Sequence, residues 1–219
     1  MKVIAIIPAR GGSEGITRKN LVNFRGKALM QWSIEAALQS EFITDVVVSS
    51  DDDEILQEAG KNKEVICLKR PIDLALSSSR TEPVLTHALE NIKEKYNYLV
   101  LLQPTSPLRN FEDINAAFSL MKTSKADSLI SVCNVNHHPF KSFVINKGGF
   151  LEGLIDNNLP FMPRQGFPKA YRSNGAIYII KTQDFLKTKK LITNNTIPFE
   201  MTEEKSLDID TKEDLNFKG

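Results

Sequence analysis

Short apolar runs alternate with helical periodicity along the first two thirds of this chain, and that alternation restricts its fold more than any other feature. Strand-like runs at residues 3–7, 45–49, 65–68, 98–102 and 128–132 are separated by helical patterns at 29–38, 51–60, 83–95 and 111–122. This order predicts a doubly wound α/β domain on a mainly parallel sheet. The first run is apolar throughout, as suits a central strand covered on both faces. The pattern changes near Asn134. There KSFVIN-KGG-FLEGLI reads as a hairpin with a glycine turn, and NNLPFMPRQGFPKA is rich in proline, asparagine and aromatics. A core-like strand resumes at residues 176–181, so residues 134–169 read as an insertion in a single domain spanning 1–219. Such hairpins serve as lids or dimer arms.

Glycines and cations follow the first strand at once. Gly11, Gly12 and Gly15 are expected to supply tight, positive-φ backbone near a ligand, and Arg10, Arg18 and Lys19 bring charge to the same loop. In an open α/β sheet this loop lies beyond the carboxyl end of its strand, where ligands bind. We read it as a polyphosphate site, with a merely solvated loop as the plainer alternative. It fits neither G-x-x-x-x-G-K-[ST] nor G-x-G-x-x-G. A net charge of +1 over 219 residues, with no basic tract, argues against a nucleic-acid partner. No apolar stretch is long enough to span a bilayer. Lys2 precedes a strand-like run rather than a signal peptide, so a cytoplasmic protein is expected. Cys67 and Cys133 lie in strand-like runs without metal-ligand spacing, and two buried, reduced thiols are expected.

Three further constellations carry chemistry. LLQPTSPLR ends the most apolar strand; its prolines fix the backbone while Gln103, Thr105, Ser106 and Arg109 offer polar groups. Asn110 is expected to cap the next helix. In SLDIDTKEDL, Asp208 and Asp210 are expected on one face of a strand, with Ile209 buried behind them. Such a pair suits Mg²⁺, and capping of the last helix by Asp210 or Thr211 is an equal alternative. In MPRQGFPKAYRSNGAIY, Arg164 and Arg172 suit a carboxylate held by forked hydrogen bonds. The pair Asn174-Gly175 has the chemistry of a tight turn before a strand. Asp51, Asp52 and Asp53 read as structural, with Ser50 or Asp51 capping a helix. His137 and His138 read as loop or interface residues and His87 as a satisfied helix residue. Ser77 to Ser79 lack companions for a hydrolase triad.

Taken together, IIPARGGSEGITRKN, LLQPTSPLR, YRSNGAIY and SLDIDT resemble the acylneuraminate cytidylyltransferases, the CMP-sialic acid synthetases. With RPIDLALSSSRTEPVLTHAL and VNHHP, the likeness runs over nearly the full chain in matching order. The resemblance implies a Rossmann-like domain whose small insertion builds a homodimer and lends residues to the partner's site. It implies CTP, Mg²⁺ and a nonulosonic acid (sialic, legionaminic or pseudaminic) as reactants, with pyrophosphate released. Carried over by motif, Arg10 and Lys19 face the triphosphate beside Gly11, Gly12 and Ser13. Asn20 and Arg70 hold the nucleotide, and Gln103 and Arg164 meet the sugar acid. Asp208 and Asp210 hold Mg²⁺, and Arg109, Arg172 and Asn174 join the substrate-binding set. The family usually carries lysine at the position of Glu14 and often aspartate at that of Ser77. An acid at position 14 opposes a polyanion, so Glu14→Lys is expected to tighten CTP binding or raise turnover. Two other readings stay open: a nucleotide- or sugar-binding relative without turnover, and a cytidylyltransferase for an eight-carbon acid.

Overall fold

The computed structural model describes residues 1–13 and 15–217. The first half contains β1 (Val3–Pro8), a short ribbon of β2 (Asn23–Phe24) and β3 (Lys27–Ala28), α1 (Leu29–Leu38), β4 (Asp45–Ser50), α2 (Asp53–Ala59), β5 (Val65–Lys69), α3 (Thr81–Asn91) and β6 (Tyr98–Leu101). Then come α4 (Phe111–Thr123), β7 (Ser128–Asn134), a second ribbon of β8 (Phe143–Ile145) and β9 (Leu151–Gly153), β10 (Tyr171–Lys181), α5 (Thr182–Thr188) and β11 (Thr196–Glu200). Among the described residues, seven strands form one sheet in the order β11-β7-β10-β6-β1-β4-β5. Only β10 runs against its neighbours, β6 and β7. This is the doubly wound, Rossmann-like α/β fold that the alternation predicts.

Burial explains the layering. One face of the sheet packs Val3, Ala5, Ile7, Val46 and Val48 against α1, α2 and α4 through Ile34, Ile55 and Phe118. The other packs Ile4, Ile6, Val47 and Leu99 against α3 and α5 through Leu85 and Phe185. Every residue of β1 from Val3 to Ile7 is therefore buried, which is why it lacks the alternation of a half-exposed strand. Asn110 caps α4 in a capping box with Asp113. Helix α3 begins two residues earlier than expected and stops at Asn91, because Ile92 turns extended and packs on the second core.

Three expectations change. Cys133 is buried, but Cys67 is exposed, since β5 is one of the two edge strands of the sheet. Asn174-Gly175 makes no turn before a strand; it forms a bulge inside β10, whose register against β7 shifts between Ser173 and Tyr178. Asp208 and Asp210 lie on an extended segment outside the sheet, not on a strand. The β8–β9 ribbon does form the hairpin expected within 134–169.

Candidate active site

Strands β1, β4, β5 and β6 run parallel and end on one edge of the sheet. From β1 the chain steps outward to β4 and β5, then crosses back to β6 on the other side of β1. Strand order thus reverses between β1 and β6, the place where open α/β sheets take ligands. A cleft of about 270 Å³ opens there.

Cations converge on it from two connections, the one after β1 and the one from β5 to α3. Arg10 and Lys19 come from the loop after β1, Arg70 from the end of β5, and Arg80 from the start of α3. Ser13, Asn20, Ser77, Ser79, Gln103 and Thr105 add neutral polar groups, and no carboxylate appears among the described residues lining the cleft. Arg70 is only 4% exposed. Burial lowers its pKa against the opposing pull of Asp51, 3.6 Å away, and the charge of Arg10 lowers it further. Its Nε has no partner among the described residues. The described lining of the cleft is therefore short of negative charge, an environment that suits a polyanion.

The loop after β1 is held by the next strand's acids. Gly11 N donates to Asp51 Oδ1 (3.1 Å), and Asn20 Nδ2 donates to the Arg10 carbonyl (2.8 Å). A Cβ on Gly11 would stand 2.8 Å from the Asp52 side chain, and one on Gly15 2.5 Å from the Asp210 carbonyl. Close approach, not left-handed backbone, is what these two glycines provide, while Gly12 faces open space. Left-handed backbone in this loop falls on Arg18, φ 54°. Its guanidinium bridges Asp52 and Glu54 at 2.8 and 2.7 Å. Asp52, rather than Ser50 or Asp51, caps α2. Asp51 instead braces the loop and Arg70.

The acid pair meets this loop from the C-terminal side. Ile209 is fully buried and its N–H donates to the Thr105 carbonyl at 2.8 Å, which fixes the segment against the cleft wall. Lys19 Nζ donates to the Ile209 carbonyl (3.0 Å) and to Asp210 Oδ1 (2.9 Å). Asp208 and Asp210 are both exposed residues. Loss of water around the Asp208 carboxyl nevertheless raises its pKa, a hydrogen bond from Thr105 opposes this, and Asp210 raises it further. Neither Asp210 nor Thr211 caps the last 3₁₀ turn, Asp214–Asn216, whose N-cap position is Glu213 without a side-chain bond; the Asp214 carboxylate instead reaches back and accepts from Asp210 N, Thr211 N and Thr211 Oγ1. Two mutually repelling carboxylates with no third His, Cys, Asp or Glu gathered to them, among the described residues, do not make a closed cage. The donor set fits Mg²⁺, which takes one or two carboxylates and completes its shell with water and substrate phosphate.

Other sequence candidates are dispersed. Arg109 is 1% exposed and does not line the cleft; it donates to the Gln103 and Ala176 carbonyls and to Ser33 Oγ. Asn174 is 2% exposed and supports the β10 bulge, accepting from Ser131 Oγ and Ala176 N and donating to Ser206 Oγ. Both side chains are buried, and neither lines this cleft. Arg172 borders a separate cleft of about 310 Å³ shared with Asp208, and its charge acts on that carboxyl. Arg164 lies exposed on a short 3₁₀ turn of the insertion, away from both clefts. Glu14 lies outside the described residues. Sequence reasoning does not single out Asp51, Ser79 or Arg80 as site residues. A cation one residue before a helix at the ligand edge is the signal that marks Arg80.

The family model described as Cytidylyltransferase matches residues 4–217. The chain is 31% identical over 217 residues to the N-acylneuraminate cytidylyltransferase of Streptococcus agalactiae serotype V, covering 98% of this chain and 52% of that protein. It is 30% identical over 220 residues to the pseudaminic acid cytidylyltransferase of Campylobacter jejuni serotype O:2, covering 99% and 94%. Against the CMP-N,N'-diacetyllegionaminic acid synthase of Legionella pneumophila it is 30% identical over 216 residues, covering 96% and 92%. The chain thus spans about half the length of the S. agalactiae relative and nearly all of the other two. A solved structure of CMP:2-keto-3-deoxy-manno-octonic acid synthetase complexed with CTP superposes with a TM-score of 0.70 at 17% identity, over 96% of this chain and 94% of that one.

Proposed function

The chain belongs to the cytidylyltransferase family, and from that premise we propose that it transfers CMP from CTP to a nine-carbon keto-sugar acid, releasing pyrophosphate. The observation that carries this reading is the convergence of Arg10, Lys19, Arg70 and Arg80 on the switch-point cleft, with Asp208 and Asp210 at its rim. Such an arrangement binds a polyphosphate and leaves room for a metal beside it.

The anomeric hydroxyl of the sugar acid attacks the α-phosphorus of CTP, and pyrophosphate leaves on the opposite side. Most of the protein's contribution is positioning and charge neutralisation. Arg10 and Lys19 meet the triphosphate, while Asn20 and Arg70 hold the nucleotide. Gln103, at the tip of β6, meets the sugar acid, and Arg172 beside Asp208 offers a cation for its carboxylate. Asp208 and Asp210 would hold Mg²⁺, which when bound polarises phosphate and lowers the pKa of a coordinated hydroxyl. The named relatives act on pseudaminic or N,N'-diacetyllegionaminic acid, which supports a nonulosonic acid here. Two free thiols and a CTP substrate support a cytoplasmic setting, and no helix among the described residues is long and apolar enough to cross a membrane. The exposed aromatics of residues 134–169 support a homodimer in which this element contacts the second copy.

Pyrophosphate release is to be followed with CTP, Mg²⁺ and a panel of sialic, legionaminic, pseudaminic and eight-carbon keto acids. Release should require one of the nine-carbon acids and stop in excess chelator. Release independent of any acid, or only with the eight-carbon acid, refutes the proposal.

A further inference from the structure

Among the described residues Arg109 is one of the largest fully buried side chains and has no carboxylate in ion-pair contact, an unusual setting for a guanidinium. Its Nη2 donates to the Gln103 carbonyl (2.9 Å) and to Ser33 Oγ (2.6 Å), and its Nε donates to the Ala176 carbonyl (3.1 Å). One planar fork therefore joins the tip of β6, the bulge of β10 and helix α1. The same tip and bulge meet twice more. Ser106 Oγ donates to the Asn174 carbonyl at 2.9 Å, and Gly175 adopts φ +71° directly against Gln103, where any Cβ would overlap Gln103 Oε1. Gln103 is thus held at its backbone by Arg109, and its amide lies in the space that a side chain at position 175 would take, while the residue lines the cleft.

We infer that Arg109 is a positioning residue: through the Gln103 carbonyl and the β10 bulge it fixes how the Gln103 amide is presented to the cleft. The inference rests on the reading of that cleft as the active site. A hydrophobic strut of equal volume would fill the space, but it would remove the fork's bonds to the Ala176 carbonyl and Ser33 Oγ and leave the Gln103 carbonyl only the longer bonds from Ser106 N (3.3 Å) and Ser33 Oγ (3.4 Å). Lysine keeps the charge but not the planar fork, so its one nitrogen cannot reproduce the separate Nε and Nη2 bonds to the two carbonyls and Ser33. The Gln103 amide would then lose its fixed orientation even in a folded protein.

The test compares wild type, Arg109→Lys, Gln103→Ala and the double variant. Wild-type pyrophosphate release, measured first, stands or falls with the proposed activity alone. In active enzyme, Arg109→Lys should lower kcat/KM for the sugar acid by about tenfold or more, the cost of a misplaced contact, and leave CTP affinity by calorimetry within about threefold. In the Gln103→Ala background the same change should add almost nothing, because the two residues act as one unit. The side-chain amide signals of Gln103 in ¹⁵N NMR are read whether or not the enzyme turns over, and should shift or broaden in Arg109→Lys. If Arg109→Lys does not fold, Ser33→Ala, which removes one bond to the fork, takes its place with a smaller effect of the same kind. Additive losses, equal loss of CTP and acid binding, or an unmoved Gln103 amide would overturn the inference.

Discussion

Lys19 touches both halves of the candidate site, lining the cleft while its ammonium holds Asp210 and the Ile209 carbonyl. The acid pair itself contributes little to packing, because both are exposed residues, although the Asp208 carboxyl is partly shielded from water. Asp208→Asn and Asp210→Asn should each lower turnover by about a hundredfold, the scale of one lost electrostatic contact to a transition state. Thermal unfolding should move by no more than about 2 °C. A variant that loses stability and keeps its rate would instead assign that carboxylate a structural role. Gly15→Ala offers a complementary measurement. The added methyl meets the Asp210 carbonyl, a backbone atom that cannot step aside cheaply, so the loop must part from the acid segment. Turnover should fall by more than about tenfold, with the melting temperature little changed because Gly15 is exposed. Asp214 gives a pH signature. Hydrogen bonds from Thr211 and Asp210 lower its pKa, so its ionised form favours the fold. That contribution is complete above about pH 4, the ordinary carboxylate value, and disappears as pH falls through the lower folded value. Asp214→Asn should therefore flatten the acid limb of stability measured by denaturant titration.

At the level of elements, the bulge in β10 decides how the sheet presents its ligand edge. Asn174 and Ser131 replace the ladder bonds lost there: Ser131 Oγ accepts from Ile177 N at 2.7 Å, and Asn174 Oδ1 accepts from Ala176 N at 3.2 Å. Asn174→Ala strips these buried groups of partners and should cost about 2 kcal/mol, which lowers the melting temperature by roughly 4–8 °C in a domain of this size. Calorimetry of the folded variant measures it; an unchanged melting temperature would mean that water substitutes. The bulge also shows where reading from sequence ends. Strands β1, β4 and β6 are legible because both faces are covered and their apolar runs say so. Asn110 is legible as a cap because its partner, Asp113, lies three residues away. Asn174, Arg109 and Asp51 are not, because their partners lie tens of residues distant and only the assembled sheet brings them near. The loop glycines were legible as a ligand loop for a different reason than the one that holds. Crowding by Asp52 and Asp210, rather than backbone hand, requires Gly11 and Gly15.

At the scale of the whole molecule, residues 134–169 leave an apolar surface without cover among the described residues. Within the insertion, His138, Phe140 and Phe167 pack on one another with centroids 4.8–5.3 Å apart, so two of its phenylalanines serve a small internal core. Phe143, Phe150 and Phe161 remain 42%, 72% and 80% exposed, beside exposed Ile145 and Leu151. A patch of this kind on a loop-rich element suits burial against a second copy. Sedimentation at assay concentrations should give twice the 24.6 kDa chain mass, and Phe161→Asp with Phe150→Asp should halve it. The position of Arg164 sharpens this. It stands exposed on that same element, outside the lining of its own chain's clefts, so a role with the sugar acid places it in the partner's site. Arg164→Ala and Lys19→Ala should each be nearly inactive alone. In dimers mixed from equal amounts of both, the site with an intact Lys19 receives Arg164 from the other chain and recovers. Random mixing should then restore about a quarter of wild-type turnover, one good site in each of the half of the dimers that are mixed. No recovery on mixing, with heterodimers verified by mass, would place Arg164 within its own chain's site or outside catalysis altogether.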